Sequence, residues 1–202
     1  MNKTVLTVFA LAVLGHAGCS GPSGRIKEKG EASLVGDRRA GAVEYRRLMD
    51  DSLKELSSKF RDATRLSNAP RIRVAFFGIE NKTNEELGSW RYQINDIMNK
   101  AIYGSADFQD ISFDRYVKPA LDTAGVKPEN LVIPAEARKF LAVLEKNNQV
   151  LDAFLFSSLT QGDTTQGNLK QSDYVLTLEL INPLDGQRLA MSNAEISKEY
   201  TR

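Results

Sequence analysis

The 202 residues contain one cysteine and one histidine, Cys19 and His16, and both stand near the start of the chain. Everything after Cys19 must therefore fold without an internal disulfide. It also lacks the thiolate and imidazole ligands that close most structural zinc sites. Stability has to come from a conventional apolar core. Hydrophobic residues make up 42% of the chain. About 160 residues remain beyond the leader and tether described next, enough for one well-buried domain and too few for two of ordinary size.

The residues before Cys19 read as an export leader. Lys3 supplies a positive start, and residues 5–14 form an apolar run in which Thr7 is the one polar member. That run is shorter than the roughly 20 residues a membrane-spanning helix needs. His16-Ala17-Gly18-Cys19 follows, and small residues directly before a lone cysteine match a bacterial lipobox. In that motif the thiol is diacylated and the cysteine becomes the first residue after cleavage. Two acyl chains anchor firmly, since each buried methylene contributes about 0.8 kcal/mol. His16 stands where a lipobox carries an aliphatic residue. A leader cut after Ala17, leaving a soluble exported protein with a free thiol, is the competing reading. Ser20 after the cysteine, in place of Asp, favours the outer membrane under the usual sorting rule, with the domain facing the periplasm. The expected organisation is a lipoprotein signal peptide at 1–18, a lipidated cysteine and flexible tether at 19–41, and a single globular α/β domain at 42–202.

The tether follows from composition. Gly21, Pro22, Gly24, Gly30, Gly36 and Gly41 are interspersed with charges of both signs and few large apolar residues, a pattern expected to stay unstructured. Such a segment has a root-mean-square reach on the order of 25 Å and extends at most to roughly 70 Å. With Lys3 set aside, basic and acidic residues balance at 26 each. A nucleic-acid partner is therefore not expected, because such binders carry a basic excess.

Beyond the tether, periodicity predicts an alternation of helices and strands. Tyr45, Leu48, Met49, Leu53, Leu56 and Phe60 recur at helical spacing over 43–65, with charges of both signs opposite. Residues 72–79 read as a buried central strand. Asn81, Lys82 and Thr83 make the following turn, where Thr83 and Glu86 have capping-box spacing. Trp90, Ile94, Ile97, Met98 and Ala101 mark a second helix that stops at Gly104. Trp90 is expected in the core; Tyr92 lies off the apolar face and is open to either reading. A short strand at 108–113 precedes a third helix, capped by Asp114 and kinked by Pro119. Pro134 opens a fourth helix. Strands follow at 152–160, 174–181 and 187–196, with a polar loop at 161–168 and a turn at 182–186. A phase slip between Met191 and Ala194 suggests a bulge near Ser192 and Asn193. The order describes an α/β fold, a mixed sheet with helices packed on it.

Catalytic signatures are absent. The sequence holds no phosphate-binding GxxxxGK[ST], no G-x-S-x-G elbow, no HExxH and no penicillin-binding Ser-x-x-Lys. Histidine triads and Cys-His pairs are excluded in the mature chain. Asp163 is the one acid considered for a carboxylate pair, and a solvated acid is the better reading. No catalytic residue, cofactor or metal is expected.

The strand Arg71-Ile72-Arg73-Val74-Ala75-Phe76-Phe77-Gly78-Ile79-Glu80, its Asn81-Lys82-Thr83 turn, the later Asp152-Ala153-Phe154-Leu155-Phe156 and the strand at 173–180 with its Asp185-Gly186 turn together resemble the LpoB family, lipoprotein activators of class A penicillin-binding proteins. The likeness covers roughly residues 43–200. It implies a fold related to the N-terminal domain of TolB and a non-enzymatic role. The partner would be a class A penicillin-binding protein, a bifunctional peptidoglycan synthase that the lipoprotein stimulates by favouring its active arrangement. The tether is shorter than that of better-known members. The competing expectations are an assembly or secretion lipoprotein related to the curli-export component and a general envelope adaptor. Partner-binding residues stay unassigned, and the lipid-attachment residue is Cys19.

Overall fold

The computed structural model describes residues 40–64, 71–85, 87 and 90–201. The leader, Cys19 and all but the end of the tether lie outside the described residues. Among the described residues no helix is long and apolar enough to cross a membrane.

Helix α1 (Ala42–Thr64) leads into β1 (Ile72–Lys82), α2 (Trp90–Gly104) and β2 (Phe108–Asp110). A π-helical turn (Phe113–Val117) runs into α3 (Lys118–Ala124), and a 3-10 turn (Pro128–Val132) precedes α4 (Pro134–Lys146). The chain closes with β3 (Ala153–Gln166), β4 (Leu169–Ile181) and β5 (Arg188–Thr201). The five strands form one mixed sheet in the order β2-β1-β3-β4-β5. β1 pairs parallel with β2 and β3, whereas β3-β4 and β4-β5 are antiparallel. This is the α/β architecture expected from the order of elements.

Two apolar layers cover the sheet from opposite sides. On one side α1 inserts Tyr45, Leu48, Met49, Leu53 and Leu56, and α2 adds Ile94, Met98 and Ile102. They meet Val74, Phe76 and Ile79 of β1, and the alternating run Tyr174, Leu176, Leu178 and Leu180 of β4. On the other side Val117, Leu121, Phe140 and Leu144 pack on Ala75, Phe154 and Ile181. Phe77, partly buried, packs against this second core. Its ring lies edge-on to those of Phe113 and Phe154 and stacks on Phe156, with centroids 5.2 Å apart. Such contacts add about 0.5–1.5 kcal/mol each beyond burial.

Polar contacts set the positions of these layers. The buried Ser52 and Ser192 hydroxyls hydrogen-bond across the α1-β5 contact at 2.9 Å. At the start of α1, Glu44 accepts the Gly41 N–H (3.1 Å) and pairs with Lys198 of β5 (2.6 Å). Burial pushes the Glu44 carboxyl up, but these partners outweigh it and hold the group below its ordinary range. Asp107, just before β2, accepts from Ser57 and Arg61 of α1. Ser57, and then Arg61, keep its carboxyl below the usual range against an opposing effect of burial. Arg73 of β1 donates to both oxygens of Asp152 (2.9 and 2.6 Å), and its backbone N–H adds a third bond to the same carboxylate.

Several local expectations are corrected. Residues 161–168 are not a loop: β3 continues to Gln166 and β4 begins at Leu169, so the turn is Gly167 and Asn168. Side chains on both faces of this hairpin end are exposed, which removes the apolar alternation that would mark a strand. The β5 bulge lies at Leu189, not near Ser192 and Asn193. Register jumps from Leu180–Ala190 to Ile181–Arg188 and is unbroken beyond. Ser192 keeps the phase of Ala190 and Ala194, and being polar it disguised the alternation. Asp114 caps nothing. It lies inside the π-helical turn, whose N-cap position is Ser112. The expected kink at Pro119 takes the form of this wide turn, in which Lys118 N–H reaches Phe113 O; the extra width accommodates the proline ring that would otherwise crowd the preceding turn. Thr83 does not cap α2, which starts at Trp90; its N–H instead bonds Asn81 Oδ1 at 3.1 Å. Glu86 and the Trp90 side chain lie outside the described residues. Pro134 opens α4 as expected.

Two outcomes follow from this packing. Gly186 has φ +73°, and a Cβ there would sit 2.7 Å from the Val132 carbonyl oxygen. Gly186→Ala is expected to lose about 2 kcal/mol or more in denaturant unfolding, since both conformation and close approach oppose it. Partial burial pushes the Asp152 carboxyl up, but the bonds and charge of Arg73 outweigh it and hold it below the usual carboxylate range. Its contribution is then present at neutral pH and lost as pH falls through that lowered value. The pair is over a third exposed, so Asp152→Asn should cost no more than about 1 kcal/mol at pH 7. The gap to the wild type should close in acid unfolding curves.

Candidate functional site

The three long antiparallel strands extend past the helices that cover the second face. The inward positions of β3 on that side are Phe154 and Phe156, then Ser158, Thr160, Gly162 and Thr164. The change from phenylalanine to hydroxyl residues marks where α3 and α4 stop covering the sheet. Beyond it the sheet face is open.

Register arranges the open face in cross-strand rows. Glu80, Ser158, Thr177 and Asn193 form one row across β1, β3, β4 and β5. Lys82, Thr160, Val175 and Glu195 form the next. Phe156, Glu179 and Met191 border them on the side of the core. A shallow hollow of about 180 Å³ lies over Glu80, Lys82, Phe156, Ser158, Thr177 and Glu179. Thr177 Oγ1 donates to Asn193 Oδ1 at 2.9 Å. Lys82 pairs with Glu80, and Arg188 with Glu179, both at 2.8 Å.

The charge of this face is one-sided. Glu80, Asp173, Glu179, Glu195 and Glu199 lie on it, against Lys82 and Arg188. Ser197 and Gln171 hydrogen-bond Asp173 and hold its carboxyl below the ordinary range. The surface is therefore acidic at neutral pH, with hydroxyl and amide groups at fixed spacings on a rigid sheet. The Lys82 ammonium shares the row of Thr160 and is held by Glu80.

The other sequence candidates are accounted for as follows. Asp163 sits on β3 and accepts from Ser172 (2.7 Å) and Gln161 (3.0 Å). Those bonds hold its carboxyl below the ordinary range, against the opposing effects of burial and of the Asp173 charge. Tyr92 is 79% exposed on α2, outside both cores. Among the described residues no group of His, Cys, Asp and Glu side chains is placed to hold a metal ion. Sequence reasoning missed the open face because which residues share a row depends on strand register. The run Phe156, Ser158, Thr160 was its one linear signal.

No protein-family model matches the chain, and no curated protein matches it. Among solved structures it is similar to the LpoB C-terminal domain from Salmonella enterica, at 15% identity and TM-score 0.48, over 73% of this chain and 97% of that one. The LpoB C-terminal domain from Escherichia coli aligns at 13% identity and TM-score 0.46 over the same shares. Lipoprotein GNA1162 from Neisseria meningitidis aligns at 14% identity and TM-score 0.45, over 63% and 83%.

Replacing acids on this face should leave the fold intact. Glu179→Lys with Glu195→Lys removes one partly exposed ion pair and no core contact. Thermal unfolding is expected to show a change within about 1 kcal/mol.

Proposed function

We propose that this chain is a lipid-anchored envelope protein whose domain binds and stimulates a bifunctional peptidoglycan synthase. Cys19 would carry the acyl chains at the outer membrane, residues 19–41 would form the tether, and residues 42–202 the effector domain facing the periplasm. The observation that supports the reading best is the open, acidic, hydrogen-bonding half of the sheet. Its rows are held in place by strand pairing, so little order has to be imposed on binding. A partner carrying a basic surface would meet complementary charge there, which speeds encounter and fixes register. The strand and turn residues that resemble the LpoB family in the linear sequence point to the same class of partner. Stimulation then needs no chemistry from this chain. Binding that favours the synthase's active arrangement shifts its population in proportion to the difference in affinity.

A secretion channel built on this core would need strands with an outward apolar band. The exposed end of the β3-β4 hairpin instead carries Asp163, Thr164, Thr165 and Gln166, which favours the regulatory reading.

The test is glycan polymerisation by a purified class A penicillin-binding protein, with the full chain added in detergent. The wild type is expected to raise the rate, and the Glu179→Lys, Glu195→Lys variant to lose at least tenfold in affinity, equal to about 1.4 kcal/mol. An unchanged rate with the wild type contradicts the synthase reading. Equal stimulation by the variant contradicts the assignment of the open face. Separately, Cys19→Ser should move the protein from the membrane fraction to the soluble one; continued membrane retention contradicts lipidation as the anchor.

A further inference from the structure

A second site lies beside the middle of β1, past the end of β2. These strands are adjacent and parallel, yet the segments after them go to opposite faces of the sheet. α2, after β1, joins the core formed with α1; the π-helical turn and α3, after β2, join the core formed with α4. Beyond the carboxyl end of the short β2, this divergence leaves the bulged middle of β1 facing a crevice, akin to the switch-point crevices where open α/β sheets bind ligands. Here it holds a cavity of about 280 Å³ between β1, α2 and the π-helical turn.

Its walls differ in chemistry. Phe77 and Phe113, in edge contact at 6.4 Å, supply an aromatic surface. The α2 wall presents Arg91, Asn95 and Asn99, and the π-helical turn presents Asp114. Asn95 Oδ1 is occupied by the Ile79 N–H at 3.0 Å, which fixes the side chain and leaves its Nδ2 hydrogens without a partner among the described residues. A bulge between Phe76 and Ile79 creates that bond, and Gly78 at its centre has φ +87°. A Cβ at Gly78 would stand 3.6 Å from the Asn95 amide, narrowing the cavity. β-Bulges and π-helical turns both recur beside binding sites, and this crevice has one on each side.

We infer that this crevice binds a small zwitterion, a free amino acid or dipeptide. Its carboxylate meets Arg91 and the asparagine amides, its ammonium meets Asp114, and its side chain lies on Phe77 and Phe113. The volume suits a ligand of that size and is below that of pockets for drug-sized molecules. A cation on one wall and an anion on another match a ligand bearing both charges better than a simple anion or a neutral sugar. The site is separate from the open sheet face and does not depend on the synthase reading.

The probe is L-alanyl-L-alanine, titrated into the full chain in detergent and followed by calorimetry and amide NMR shifts. Saturable binding is expected, with shifts at Gly78, Asn95 and Asp114. N-acetylation or C-amidation of the dipeptide should each weaken binding about tenfold, the loss of one charge-assisted hydrogen bond. Arg91→Gln should abolish the penalty for C-amidation, and Asp114→Asn the penalty for N-acetylation. Both side chains are exposed, so these variants should fold. Gly78→Ala should weaken all forms, and Asn95→Ala, which leaves the bulge glycine in place, provides the second reading if Gly78→Ala does not fold. No saturable shift at millimolar dipeptide overturns the proposal. So does equal binding of the free and blocked forms, or binding of N-acetylglucosamine in place of the dipeptide.

Discussion

The structure depends on β1 being buried on both faces. Val74 and Phe76 face one helical layer, and Ala75 and Phe77 face the other. Parallel strands covered on both sides read as continuous apolar runs, and this one does. Its pairings then position the rest. The Arg73–Asp152 fork, with its reciprocal backbone bonds, sets where β3 begins, and the Ile72 N–H bonds Asp107 O before β2. Asp107 in turn binds Ser57 and Arg61 of α1. Both cores and the first helix are thereby referred to one strand.

The bulge in β1 has consequences beyond local geometry. Phe77 faces the second core in phase with Ala75, and the extra residue between Phe76 and Ile79 returns Ile79 to the first. The same kink directs the Ile79 N–H to Asn95 and leaves room beside it. One positive-φ glycine thus serves the return of Ile79 to the core, the seating of α2 and the crevice together. Replacing it would disturb three features, which is why the crevice is better tested through its exposed charges.

β3, β4 and β5 are longer than the helices that cover the second face, and this mismatch produces the open surface. α1 spans β4 and β5 on the opposite side, held by the Ser52–Ser192 and Glu44–Lys198 contacts. The sheet is therefore rigid from one side and accessible from the other. Such a surface presents groups at fixed spacing with little ordering cost.

The order of elements was legible in the linear sequence, because helical and strand periods are properties of neighbouring residues. The apolar run 72–79, the alternation of Tyr174, Leu176, Leu178 and Leu180, and Pro134 at the start of α4 each carried their meaning locally. Where burial is missing on both faces, as at 161–166, the period vanished and a strand looked like a loop. Ser192 misled for the converse reason: a polar residue occupied a buried position because Ser52 supplied its partner from α1. The open face and the crevice were not legible, since each gathers residues from segments far apart in the chain through strand register and crossover direction. The sequence alone determined the α/β class and the absence of histidine after His16. Tertiary structure decided which polar residues face outward together, because that is set by pairing and packing between distant segments, which no local pattern encodes.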